Sequence, residues 1–120
     1  PDIAQRAVAV ASTFGGPDIL VNAVPGDSAP RPFAQLDSAG FASLIDLHLG
    51  SVMHATQAAL RLMAERGGGV VLTIASDAAK IPTPGEAVHG ALMAALVMFS
   101  RTLALEEARR GIRVHALTPS

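Results

Sequence analysis

The chain has 120 residues, a length that fits one domain and one modest core. Only 3% of residues are aromatic and the formal net charge is −1, which leaves no basis for base stacking or for electrostatic attraction to nucleic acid or acidic membranes. The absence of cysteine excludes a disulfide framework and a thiolate metal site.

Asp2 to Phe14 reads as the first helix, with Asp2 as its cap, Gln5 three residues on, and Gly15-Gly16 as its stop. Asp2, Gln5 and Arg6 break the charged-then-apolar order of a signal peptide, so cytoplasm is the default expectation. DILVN (18–22) is a short apolar strand. Residues 23–36 carry three prolines and a glycine and read as a loop. Asp37 or Ser38 caps a long helix from about 39 to Arg66, ended by Gly67-Gly68-Gly69. GVVLTIAS (69–76) is the second strand and DAAKIP a loop. Thr83-Pro84-Gly85-Glu86 is written as a helix start, with Thr as N-cap, Pro at N1 and Glu at N3. That helix runs to Arg110 and stops at Gly111, and IRVHAL (112–117) is the third strand. The uncharged apolar run in it, Gly90 to Phe99, is half the roughly 20 residues that span a bilayer.

The order αβαβαβ, with strands continuously apolar, is that of parallel strands buried on both faces. The predicted fold is α/β: one Rossmann-like, doubly wound parallel sheet, partial, with about three strands and three helices. Right-handed crossovers between strands added in one direction put both crossover helices on one face of the sheet. Ile19, Val21, Val71, Thr73, Ile112 and Val114 alternate with Leu20, Val70, Leu72 and Ile74, so the uncovered face is apolar too. A mean hydropathy of +0.41 in a chain with 16% charged residues fits surface that another body covers. Ala91 to Phe99 carries no polar side chain, and a helix apolar all round is expected to be buried all round.

Asp18-Ile-Leu-Val-Asn22 with its Gly-containing loop, Asp46-Leu-His48-Leu-Gly50, Gly69-Val-Val-Leu-Thr-Ile-Ala-Ser76, Pro84-Gly85, Leu103-Ala-Leu-Glu106 and Gly111-Ile-Arg-Val114 form an ordered set along nearly the whole chain. Together they resemble the central stretch of a short-chain dehydrogenase/reductase. The resemblance implies NAD or NADP as cofactor and four working side chains. These are a tyrosine acid/base, a lysine four residues later that holds the nicotinamide ribose and lowers the tyrosine pKa, a serine thirteen residues before the tyrosine, and an asparagine in the preceding helix. Carried over by position, the serine is Ser76, the tyrosine position is His89, the lysine position is Met93 and the asparagine position is His48. The asparagine-rich turn of the family is replaced by Asn22-Ala-Val-Pro-Gly26, which makes Asn22 and Gly26 the candidate cofactor-binding residues. The family's glycine-rich phosphate turn has no counterpart. Residues 1–120 therefore read as a single partial Rossmann-like domain without the family's N-terminal dinucleotide-binding half or C-terminal substrate region.

Each candidate has a plainer reading beside the catalytic one. Ser76 is a carbonyl-polarising hydroxyl or a loop serine bonded locally. His89 carries an imidazole, the side chain most often used for acid/base catalysis, but the Met93 thioether offers it neither a charge nor a ribose donor. His48, His89 and His115 are expected at the carboxyl edge of the sheet, where three imidazoles can hold zinc; with no orienting carboxylate in view, no metal is assigned. His54 lies on a different helical face from His48 and reads as surface. Arg109 and Arg110 read as a solvated helix end rather than a basic site.

The leading expectation is a catalytically degenerate subunit acting as an oligomerisation or structural partner, of itself or of a longer homologue. In the resembled family the last two helices pack against their copies. The alternative is an NAD(P)-dependent oxidoreductase acting on a carbonyl or alcohol, with His89 in the tyrosine's place and the cofactor half supplied elsewhere. A histidine-based metal or hydrolytic site is a third class. No nucleic-acid or membrane partner is expected.

Overall fold

The computed structural model describes residues 2–25 and 29–120. Helix α1 (Asp2–Ser12) leads into strand β1 (Ile19–Asn22). After the proline-rich loop come short 3-10 turns and a helix in three parts: α2 (Phe41–Ile45), a π-helical turn (Asp46–Gly50) and α3 (Ser51–Glu65). Strand β2 (Gly69–Ile74), helix α4 (Ala87–Glu107) and strand β3 (Ile112–Leu117) complete the chain. The strands form one parallel sheet in the order β1-β2-β3.

All three helical segments that pack on the sheet meet the same face. Val8 of α1, Ala59 and Met63 of α3 and Leu103 of α4 share a core with Val71, Ile112 and Val114. A second core, around Val52, Ala75, Leu92, Met93 and Leu96, joins α3 to the start of α4. The expectation of a one-sided sheet holds: Ile19, Val21 and Leu117 are 64%, 53% and 50% exposed on the other face. The grouping of residues does not. Ile19 pairs with Val70 and Val21 with Leu72, so Ile19 and Val21 belong to the open face, and Leu20 and Asn22 to the helix-covered one. Alternation within a strand fixes two faces but carries no phase between strands; the pairing register supplies it.

Two helix boundaries also differ from expectation. The helix capped by Asp37, whose carboxylate accepts from the Ala39 amide at 3.0 Å, is not uniform but passes through the π turn. The last helix begins at Ala87, not at Pro84. Gly85 has φ +86°, outside the helical region, and its carbonyl accepts from the Arg31 amide at 3.0 Å. A Cβ there would stand 2.9 Å from Pro30 Cβ, so a side chain would collide with the proline-rich loop. Thr83 therefore closes a turn, its carbonyl accepting from the Glu86 amide at 3.1 Å, rather than capping the helix.

Helix α4 is buried on one side only in this chain. Leu92, Met93, Leu96, Ser100 and Leu103 face inward, while Met98 is 57% and Leu105 82% exposed. Ala91 and Ala94 are exposed beside them. Among the described residues the sheet covers one side of the helix and no element covers the other, which leaves there the second surface that the all-round apolar pattern called for. The span Ala87–Arg110 is, by length and composition, long and apolar enough to cross a membrane, further than the run from Gly90 to Phe99 suggested. Here its inward stripe packs on β3 and α3 as a core helix.

Candidate functional site

The carboxyl end of β2 delivers Ser76 into a 3-10 turn, Asp77–Ala79. The serine hydroxyl accepts from the Ala78 amide at 3.2 Å and donates to the Asp77 carboxylate at 3.4 Å. This is the local bonding that a loop serine adopts. The turn is fixed from two sides. The Asp77 amide donates to the Pro119 carbonyl at 3.0 Å, and the Lys80 ammonium to the Thr118 hydroxyl at 2.7 Å. Helix α4 then crosses closely over it: a Cβ at Gly90 would lie 2.9 Å from the Ala78 carbonyl oxygen. Only glycine allows that approach, and it sets the height at which His89 stands.

His48 comes from the π turn and is 1% exposed. The turn's wider winding displaces side chains from the ordinary helical stagger, and such turns occur often at functional sites. His89 is half-buried, one residue before Gly90. The two imidazoles meet edge to face with ring centroids 6.2 Å apart. Both line a cleft of about 140 Å³, whose wall also includes Arg31, Leu44, Glu86 and Leu92. Ser76 is not part of that lining.

Met93, one turn beyond His89, is 4% exposed and packs among Val52, Ala75, Leu92 and Leu96. Asn22 is also buried, and its side-chain amide donates to the Thr56 hydroxyl at 3.0 Å and the Thr73 hydroxyl at 3.4 Å. It ties β1 to α3 and β2 from within the core. Gly26 lies outside the described residues. His115 is exposed on the open face of β3, in register with Leu72, and does not join His48 and His89. A strand's alternation sends its side chain away from the helices, which the position near the carboxyl edge alone could not reveal. Among the described residues no three His, Asp or Glu side chains converge on a metal-sized site. His54 is half-buried rather than fully at the surface, along a groove with Met53, Leu60 and Phe99.

The sequence reading missed Arg31 and Glu86 as parts of the cleft, and Thr56 and Thr73 as partners of Asn22. Thr73 carried a signal, as a hydroxyl inside an otherwise apolar strand. Arg31 carried none, because only the folding of the loop against Gly85 brings it there.

Residues 2–120 match the family model described as short chain dehydrogenase. The chain belongs to the short-chain dehydrogenase family. It is 33% identical over 110 residues to nodulation protein G of Azospirillum brasilense, covering 92% of this chain and 44% of that protein. It is likewise 33% identical over 118 residues to a D-threitol dehydrogenase of Mycolicibacterium smegmatis, covering 98% of this chain and 45% of that one. Among solved structures, an acetoin dehydrogenase from Enterobacter cloacae superposes with TM-score 0.90 at 28% identity, over 100% of this chain and 48% of that one. A gluconate 5-dehydrogenase from Burkholderia cenocepacia, in complex with NADP and tartrate, superposes with TM-score 0.87 at 27% identity, over 97% of this chain and 46% of that one. The chain thus spans less than half the length of these relatives.

Proposed function

We propose that this short-chain dehydrogenase chain has lost hydride transfer and serves as an oligomerising structural partner, of its own copies or of a longer homologue. The observation that carries this reading is Met93. The family resemblance calls for a lysine there, to hold the nicotinamide ribose and to tune the acid/base group. The side chain present is a thioether, sealed in an apolar cluster at 4% exposure. It donates no hydrogen bond and carries no charge. Asn22, a candidate for the adenine side, spends its amide on Thr56 and Thr73. Neither side chain therefore offers a group to a nicotinamide dinucleotide.

Two apolar surfaces support the partner role: the open sheet face of Ile19, Val21 and Leu117, and the outer side of α4 with Met98 and Leu105. Exposed apolar ground of this kind marks contact surfaces.

Calorimetric titration with NADH and NADPH tests the reading. The expected result is no binding tighter than ~1 mM, equivalent to about −4 kcal/mol. A micromolar dissociation constant, or reduction of a carbonyl compound by the pure chain, overturns it in favour of an NAD(P)-dependent oxidoreductase. Turnover recovered by combining His89→Tyr with Met93→Lys would assign the loss to those two side chains.

A further inference from the structure

We infer that the cleft shared by His48 and His89 is a cofactor-independent proton-transfer site for small, neutral carbonyl compounds. The inference rests on the reading that this site has lost hydride transfer, and concerns what its changed residues do instead. Where the resemblance places an asparagine and a tyrosine, the chain has two imidazoles with ring centroids 6.2 Å apart, both lining one cleft. Imidazole is the side chain that exists in both protonation forms around neutral pH, so one ring serves as base and the other as acid. A tyrosine with no neighbouring lysine would do neither near pH 7.

The burial of the two rings divides the roles. His48, 1% exposed and held in the π turn, is the oriented group and donates to the carbonyl oxygen of the bound molecule. His89, half-buried, stands between the cleft and solvent and exchanges its proton with water. In the step, the C–H bond next to the carbonyl breaks and its proton passes to a ring nitrogen of neutral His89. The electron pair forms the C=C bond of the enol as the carbonyl π pair moves to oxygen, which takes the proton from His48. Reversal returns a proton to carbon from His89, and no electrons leave the system. The cleft selects the substrate class by size and charge. A volume of about 140 Å³ is of the scale of a cavity that holds one small molecule. Arg31 and Glu86 add one positive and one negative charge to the wall, which favours a neutral polar molecule over a phosphate ester.

The test is deuterium exchange of hydroxyacetone and dihydroxyacetone, incubated with the 120-residue chain in D2O without nicotinamide cofactor and followed by proton NMR. Exchange at the carbon beside the carbonyl should exceed that with free imidazole at equal concentration by at least about a hundredfold, the lower scale of general acid–base catalysis. His89→Gln should remove that excess while leaving thermal melting unchanged, because His89 is only half-buried. Exchange no faster than with free imidazole, or an excess that survives His89→Gln in the folded variant, overturns the proposal. Cofactor binding is a separate readout: a micromolar NADPH affinity would remove the loss of hydride transfer while leaving the exchange result to stand or fall by itself.

Discussion

If the outer side of α4 is an association surface, charging it should separate the copies without unfolding them. Met98 and Leu105 are the residues to change, since they are 57% and 82% exposed on that side. Fully burying such a side chain is worth about 1.5–3 kcal/mol. Scaled by the exposed fraction, an interface gains about 0.9–1.7 kcal/mol from Met98 and about 1.2–2.5 from Leu105. The pair contributes roughly 2–4 kcal/mol per copy, hence about 4–8 across a twofold contact. Met98→Asp with Leu105→Asp should therefore weaken association by a factor of about 10³ to 10⁶. Folding of the single chain should change little, since both positions lie outside the core. Leu96→Asp is the contrasting control: at 1% exposure it puts a charge into the core and should unfold the chain. Sedimentation velocity over a concentration series, paired with circular dichroism, separates these outcomes. A wild-type chain that stays a cooperatively melting monomer at ~10 µM would refute the reasoning, as would a double variant with an association constant within threefold of wild type.

Asn22→Ala should cost about 1–3 kcal/mol in urea unfolding, because it leaves the buried Thr56 and Thr73 hydroxyls without their amide donor. A loss below 0.5 kcal/mol would show that water replaces the amide. Gly85→Ala should cost at least about 1 kcal/mol and disturb the histidine cleft, since φ +86° strains a side chain and its Cβ would meet Pro30 at 2.9 Å. Displaced His48 and His89 ring-proton NMR signals would report that disturbance, and unmoved signals would show the loop yielding instead.

The amino-acid sequence by itself determined the α/β class, the αβαβαβ order and the one-sided sheet. Continuous apolar strands, glycine stops and the fixed hand of the crossovers are local or general properties that need no three-dimensional partner. Through the family resemblance it also set His89 and Met93 where a tyrosine and a lysine are expected, because position in an ordered set of motifs is itself sequence information. It did not carry the phase between strands. Only the pairing of Ile19 with Val70 put Ile19 and Val21 on the open face and sent His115 away from the other histidines. Nor did it carry the π turn, since a helix's winding answers to packing that the chain's periodicity does not encode. The meeting of His48 with His89 required that turn, the crossing of α4 over Ala78 at Gly90, and the loop closing on Gly85. The resemblance already grouped His48 and His89, about 40 positions apart, with Ser76; the tertiary structure decided that the two imidazoles share one cleft while Ser76 turns to its own loop and His115 to the open face.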